Sequence, residues 1–313
     1  VIACLPGDTL TKYRDTLKTL VETDLDIIRT HTLLLINGTE LCTSEAREKF
    51  GFKTQIRATA KSFGKYKFFD DTDLFSVERE ELVTDTNTLS FEEYVECRRL
   101  QVTMHIFFND DLFHELHSVL RAFGISIWEW LMRCHDNEKT FNVGTKTLYD
   151  SYMHDMHEEL FATVEEMRAD FVKNYASYIA GEKGSNVTFK HKALLFDLYI
   201  EDVLETGFFQ AQELLKARDS LGLEECRAYL TEVKSINLLR KGDIFDQRKD
   251  TECQINFAPD NFRDGITSQD DLLKLASPLT VRIEHSDDQK IMLSHYFESH
   301  ERNTIELAWL LNR

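Results

Sequence analysis

The chain opens with two short apolar runs separated by a helical stripe. Residues 1–4 predict a buried strand, and residues 26–36 predict a second one that ends in the apolar run 33–36. Between them, apolar side chains recur at helical spacing, which predicts a helix from Leu10 that Asp8 or Thr9 is placed to cap. This order favours two parallel strands joined by a crossover helix.

Two parallel strands need neighbours, because a parallel sheet is buried on both faces. After Asn87 the pattern turns helical. We therefore expect the missing strands upstream of Val1 and interpret the chain as the C-terminal piece of a longer protein. The alternative is a small mixed sheet completed by the strand-like stretches around Ile56 and Val83.

The remainder of the chain is dominated by helical periodicity. A short acidic helix is predicted over 40–50, stopped by Gly51, and Ser90 with Glu93 forms a capping box that opens the next helix. Further helices are predicted over 110–123, 146–179, 191–220, 224–239 and 304–311, with a strand over 279–284 and a helix capped by Ser286. The predicted fold class is an α/β N-terminal remnant followed by a mainly α-helical C-terminal region.

Composition narrows the classes of function. The 313 residues carry 37 Lys and Arg against 55 Asp and Glu, a net charge of −18, which disfavours nucleic-acid binding. An apolar share of 42% supports a folded core, and no run approaches the roughly 20 apolar residues of a membrane helix. With no visible signal peptide and six dispersed cysteines, we expect reduced thiols and a cytoplasmic location.

One segment is rich in cations, although the chain as a whole is acidic. Lys53–Lys67 holds five cations and no acid: Lys53, Arg57, Lys61, Lys65 and Lys67. Arg57 and Lys61 are the candidate contacts to an anionic substrate. The alternative is a solvated strand or connector, since charge runs usually face water.

Two histidine pairs have metal-compatible spacing. His114 and His117 are three residues apart on a predicted helix, as are His154 and His157. Imidazoles at this spacing can share a metal, but neither pair matches H-E-x-x-H. Polar helix faces in an acidic protein explain them better, because such short pairings are common by chance, so no metal ligand and no catalytic residue is assigned.

Five stretches together resemble a known family. They are IACLPGDT (2–9), LLLINGT (33–39), EAREKFG (45–51), FGKY (63–66) and TNTLSFEEYVECR (86–98). They are similar to the late barrel strands and following segment of radical S-adenosylmethionine (radical SAM) proteins that carry an N-terminal cobalamin-binding domain. The similarity covers about residues 1–135 and is loose beyond.

The resemblance implies an organisation in three parts. Residues 1–50 would be the last strands of a radical SAM β/α barrel, 51–90 an extended connector, and 91–313 a mainly helical C-terminal domain. Two positions depart from the family: Cys4 stands where glycine is usual, and Asn37 where proline is usual. The C-x-x-x-C-x-x-C triad that binds the cluster in this family is absent from the 313 residues.

The resemblance also implies cofactors and partners. They are S-adenosylmethionine, a four-iron four-sulfur cluster and cobalamin, with the upstream barrel and cobalamin domain of the same protein as partners. Pro6, Gly7, Asn37 and Gly38 follow predicted strands, where barrel sites lie, and are the candidate cofactor-binding residues. The implied activity is radical-based methyl transfer or rearrangement. The alternative is a non-catalytic helical binding or docking module.

Overall fold

The computed structural model describes residues 1–23, 25–257, 276–300 and 302–311. They form a mixed α/β fold with many helices. The predicted helical domain 91–313 therefore includes stretches that lie outside the described residues. The chain divides into two units, each drawn from separate stretches. The sheet unit comprises Val1–Thr19, Ile28–Val102 and Asp150–Lys190; the helical unit comprises Leu20–Ile27, Thr103–Tyr149 and His191–Arg313.

Helices and strands occur in the following order. The helices are α1 (Leu10–Glu22), α2 (Ser44–Phe50), α3 (Phe91–Thr103), α4 (His114–Ala122), α5 (Ile127–Asp136), α6 (Val143–Glu158), α7 (Val164–Lys173), α8 (Tyr175–Ala180), α9 (Val187–Leu194), α10 (Ile200–Arg218), α11 (Ser220–Lys241), α12 (Asp287–Ser299) and α13 (Thr304–Leu310). The strands are β1 (Ile2–Ala3), β2 (His31–Thr32), β3 (Lys53–Lys67), β4 (Asp73–Asp85), β5 (Asp250–Phe257) and β6 (Ala276–Glu284).

The predicted strand–helix–strand unit is confirmed, and its sheet is mixed. β1 pairs with β2 in parallel. Just beyond β2, Leu34 bridges Leu82 of β4 in antiparallel fashion, and the Leu35 amide donates to the Glu81 carbonyl at 2.9 Å. A downstream hairpin thus supplies one neighbour, which agrees with the mixed-sheet alternative. Among the described residues, no strand pairs with the other edge of β1.

The cation-rich segment is a strand in a long hairpin. β3 and β4 pair antiparallel, with an irregularity between Ala58 and Phe63. Phe63 lies 5.5 Å from Phe171 and 5.4 Å from Tyr178, measured between ring centroids. Residues 51–90, which we predicted as an extended connector, thus form a hairpin that packs on aromatic side chains of α7 and α8.

The single helix predicted over 146–179 is wrong. α6 ends at Glu158, and Phe161 then exchanges two 2.8 Å backbone hydrogen bonds with Ile56. Thr163 caps α7 by accepting from the Glu166 amide. The bridge to Ile56 takes the backbone of Phe161 out of the helix, and this pairing across the chain has no signal in local periodicity.

Other helix boundaries also differ from prediction. The helix predicted over 191–220 consists of α9, a π-helical turn over Leu195–Tyr199 and α10. The helix predicted from 110 begins at His114, because Asp110 and Asp111 have φ of 64° and 56° and so interrupt the helical backbone. Both capping boxes form, at Ser90 with Glu93 and at Ser286 with Gln289.

The helical unit has an aromatic core. Trp130 is fully buried and donates from Nε1 to the Gly207 carbonyl at 3.0 Å. Its ring lies 5.1 Å from Phe113 and 5.2 Å from His117. β5 and β6 form an antiparallel hairpin in the same unit.

Candidate functional site

The turns after β1 and β2 hold the four residues predicted to approach a cofactor. Gly7 and Gly38 have φ of 77° and 86°, a left-handed conformation that favours glycine. A Cβ at either position would meet nothing within 4 Å. Backbone conformation, not crowding, therefore calls for glycine here. Pro6 is half-buried, and the exposed Asn37 accepts a 3.7 Å hydrogen bond from Cys42 Sγ.

Cys4 has an unusual conformation directly after β1. It is fully buried with φ of 68°, a region that costs energy for any residue except glycine. Burial, with a smaller contribution from Asp8, raises the pKa of its thiol to about 12. A thiol that stays protonated near neutral pH is a poor nucleophile or metal ligand.

A cavity of about 390 Å³ lies along β2 and the residues that follow it. This volume is within the range of small-molecule sites. Its lining joins the apolar strand residues to three long polar side chains. The lining residues are Ile2, Thr30, His31, Thr32, Leu33, Leu34, Ile36, Arg57, Arg98, Gln101, Asn186, Val187 and Thr188.

Arg98 is the most deeply buried cation of this cavity, with 4% of its side chain exposed. Its Nη1 donates to Glu159 Oε1 at 3.0 Å and to the Tyr94 hydroxyl at 3.0 Å. Its Nε donates to the Tyr152 hydroxyl at 3.4 Å. Tyr94 precedes Arg98 by one turn of α3, so the helix itself aligns this pair.

Arg57 reaches the same acid from β3. Its Nη1 lies 3.2 Å from Glu159 Oε1, and its Nε donates to Glu80 Oε2 at 2.7 Å. Glu80 is the cross-strand partner of Arg57 in the hairpin. Glu159 therefore joins two guanidinium groups, with Glu80 completing a network of two cations and two anions.

Electrostatics keeps both guanidinium groups charged. Burial opposes the charge on Arg57, but Glu159 and Glu80 outweigh burial, so the pKa of Arg57 is raised. At Arg98 burial is likewise outweighed, by the two tyrosines and Glu159, and the pKa is raised well above its ordinary value. The network is paired and contributes no net charge to the cavity.

The remaining polar groups of the lining are placed for hydrogen bonding. Thr30 is buried, and its hydroxyl has no hydrogen-bond partner in the described part of the chain. Gln101 is also buried, and its Nε2 donates to the His31 carbonyl at 3.3 Å. A buried hydroxyl left unpaired is costly, so a ligand that pairs with it gains stability.

Together these groups can hold a small polar molecule. Guanidinium edges and the Gln101 amide offer donors, and Thr30 offers a donor and an acceptor. Because Glu80 and Glu159 already balance the two arginines, a ligand without large net charge fits the cavity best. Donor geometry can fix its orientation against the apolar strand residues.

The structure separates the two residues predicted to contact substrate. Arg57 lines the cavity, whereas Lys61 does not. Lys61 is exposed at the irregularity of β3, where its φ is 58°. Lys53 and Lys65 pair with Asp85 and Asp73 across the hairpin. The cation-rich segment Lys53–Lys67 thus places one side chain, that of Arg57, in the cavity and leaves the others solvated. The four predicted cofactor-binding residues in the turns after β1 and β2 do not line this cavity.

Sequence reasoning missed Arg98, Gln101 and Glu159. A signal for Arg98 was present, since it follows Tyr94 by four residues on the same face of the predicted helix. Glu159 carried no comparable signal. It lies one residue after the end of α6, an end that local periodicity does not indicate.

Neither histidine pair belongs to a larger group of potential metal ligands among the described residues. In the part of the chain that the structure describes, no group of three or more His, Cys, Asp or Glu side chains could hold a metal ion. The described residues thus do not fit an iron–sulfur cluster, and we derive no step through one. His154 lines a separate cavity of about 220 Å³ with Asp155 and Glu158.

Comparison with known proteins does not identify a family for this chain. No family model matches the chain, and no curated protein matches it. Among the described residues, no helix has both the length and the apolar character needed to cross a membrane.

Proposed function

We propose that the chain is the C-terminal part of a cobalamin-dependent radical SAM enzyme and that its sheet unit holds the substrate in the cavity beside Arg57 and Arg98. One observation carries the proposal: a parallel β1–α1–β2 unit has a left-handed glycine in each strand-end turn and an edge of β1 that no described strand covers. Strand ends of this kind surround the sites of β/α barrels.

Cys4 adds support from conformation. The family that the sequence resembles usually has glycine at this position, and Cys4 has a φ that glycine adopts readily. The backbone therefore keeps a glycine-like turn although the side chain has changed.

The described residues would bind and orient the substrate. Radical chemistry comes from the cofactors when they are bound. Arg57, Arg98 and Gln101 would donate to substrate oxygens, and the apolar residues along β2 would exclude water. Methyl transfer and rearrangement both remain compatible with this role.

The first test concerns the gene. We expect the reading frame upstream of the Val1 codon to encode a C-x-x-x-C-x-x-C triad, about 130–180 residues earlier from typical barrel size. The intact product, purified without oxygen, should contain iron and consume S-adenosylmethionine when reduced. A reading frame without the triad, or an iron-free product that leaves S-adenosylmethionine unchanged, contradicts the proposal.

The second test concerns the cavity. In the intact product, Arg57→Lys keeps the positive charge but loses the planar guanidinium group and its fixed set of donors. Substrate-dependent turnover should therefore fall about tenfold. Lys67→Ala is the matched control from the same strand, with a 63% exposed side chain. Equal turnover in both variants would show that Arg57 stabilises the fold and does not contact the substrate.

A non-catalytic docking module remains the second candidate. Exposed apolar side chains such as Leu198 and Phe209 of the helical unit would supply its docking surface. An intact product that binds neither iron nor S-adenosylmethionine would favour this alternative.

A further inference from the structure

A second cavity, of about 580 Å³, lies in the helical unit. Its walls are mainly apolar and come from the loop after α11, from β6, and from α12 and α13. Phe245, Leu293 and Leu310 are buried there, and the half-exposed Met292 lines it as well. A mostly apolar cavity of this size with a few polar groups is typical of a small-molecule site.

The polar side of this cavity contains a buried group without a partner. His285 is 8% exposed, and its Nε2 has no hydrogen-bond partner among the described residues. His285 lines the cavity directly. Buried polar atoms are nearly always paired in native proteins, and a rotation of this ring at the cavity wall would let Nε2 meet a ligand atom.

Two cations lie in the same wall. Arg240 binds Glu115 through Nη1 at 2.9 Å. Lys249 is buried, and its Nζ donates to the Arg240 carbonyl at 2.7 Å and to the Gly242 carbonyl. Glu284 also lines the cavity, but it pairs with Lys290 at 3.0 Å. Arg240 and Glu284 are each balanced by a partner of opposite charge, whereas no carboxylate pairs with Lys249 among the described residues, so the polar side favours an anionic ligand group.

We propose that this cavity binds an apolar monocarboxylate, whose carboxylate accepts from His285 Nε2–H and faces Arg240 and Lys249 while its hydrocarbon body lies against Phe245, Leu293 and Leu310. The site belongs to the helical unit and does not rest on the proposed radical activity. A failure of one proposal leaves the other standing.

Calorimetry with octanoate tests the proposal on the full 313-residue chain. We expect a dissociation constant below about 1 mM, given the usual affinity per ligand atom. 1-Octanol has the same chain without the charge and should bind at least about tenfold more weakly, since charge-assisted hydrogen bonds are the strong ones. Absence of octanoate binding overturns the site, and equal binding of 1-octanol overturns the anionic assignment.

Neighbouring positions on α12 supply a matched pair of variants. Met292→Trp places a larger side chain in the cavity and should weaken octanoate binding at least about tenfold, because a filled site excludes its ligand. Ile291→Trp is the control: Ile291 is 56% exposed and does not line the cavity. Both parent side chains are substantially exposed, so both variants should fold. Equal octanoate affinity in the two variants contradicts the location.

His285→Phe tests the polar contact separately. The change removes Nε2 and keeps an aromatic ring, so octanoate should bind at least about tenfold more weakly, the effect of losing a hydrogen bond to a charged group. Binding of 1-octanol should stay unchanged. Octanoate binding that is insensitive to this variant contradicts the role of His285.

Discussion

Arg98 of the sheet unit and His117 of the helical unit show two ways of burying an ionisable side chain. In the sheet unit, Arg98 keeps its charge because Glu159 and two tyrosine hydroxyls surround it. In the helical unit, His117 is buried among Phe108 and Trp130, and its Nε2 has no partner among the described residues. Burial with pairing preserves a charge, whereas burial without pairing favours the neutral form.

The two arrangements imply different weaknesses. A paired cluster is sensitive to loss of one member, since the partner is left as an uncompensated buried charge. An unpaired buried imidazole is sensitive to acid, because the unfolded chain takes up the proton more readily. Loss of one partner should therefore destabilise the cluster around Arg98, and acid should destabilise the helical unit through His117.

The largest effect is expected at Glu159. Glu159→Ala leaves Arg98 without its carboxylate and Arg57 with Glu80 alone, so the free energy of unfolding should fall by about 3–5 kcal/mol. Denaturant unfolding followed by circular dichroism measures it. Glu158→Ala, one residue earlier and with a 57% exposed side chain, should change stability by less than about 0.5 kcal/mol. Equal midpoints for the two variants would show that the network does not stabilise the unit.

The next effect is the pH dependence of the helical unit. Burial, followed by electrostatic contributions from Arg121, His114 and Lys241, lowers the pKa of His117 to about 3. The unfolded imidazole titrates near its ordinary value of about 6.5. The unfolded state therefore binds more protons between these values, and stability falls as pH decreases below about 6.5, by about 1.4 kcal/mol per pH unit.

Comparison of variants isolates this histidine. Unfolding measured from pH 7 to pH 5 should show a loss of about 2 kcal/mol from His117, and His117→Phe should remove that part of the slope while keeping the aromatic packing. His295→Phe is the control, because the His295 side chain is 78% exposed. If the pH dependence of the unfolding free energy persists in His117→Phe, titratable groups other than His117 cause it.

A smaller effect tests the packing of the aromatic core. Gly207 lies in α10, and an added Cβ would come within 2.4 Å of the Phe113 ring. Gly207→Ala gains about 1 kcal/mol of helix propensity but overpacks the core at a cost of about 1–3 kcal/mol. We expect a net loss of stability of up to about 2 kcal/mol in thermal unfolding. Lys216→Ala, at an exposed position of the same helix, should be nearly neutral, and a stabilised Gly207→Ala would show that Phe113 moves freely.

The smallest effect distinguishes the members of the cationic strand. Lys53 pairs with Asp85 at 3.1 Å, but its side chain is 75% exposed. Lys53→Ala should therefore change the free energy of unfolding by less than about 0.5 kcal/mol, with no dependence on salt above physiological ionic strength. A larger loss would mean that the exposed cations of β3 support the sheet unit as Arg57 does.

Several local features could be predicted from sequence because their partners are close in the chain. The Ser90–Glu93 and Ser286–Gln289 capping boxes join residues three apart, and Thr9 caps α1 by accepting from the Lys12 amide. The Gly51 stop has φ of 62°, as expected for a helix C-terminus. These interactions depend on how far apart the residues are along the chain, which can be counted from the sequence.

The end of α6, the mixed sheet and the cavity network could not be predicted in the same way. Phe161 leaves the helix to pair with Ile56, and Leu34 bridges Leu82. Arg98 meets Glu159 across 61 positions of the chain. Each contact joins residues that no periodicity relates.

The sequence by itself thus determined the strand–helix–strand start, the helix caps and the change to a mainly helical pattern, because these follow from side-chain spacing and backbone preference within a few residues. Only the tertiary structure decided which cation of Lys53–Lys67 is buried, which acid joins Arg57 to Arg98, and that His285 lines a cavity in the helical unit. Burial and charge pairing depend on distant segments meeting, and folding alone brings those segments together.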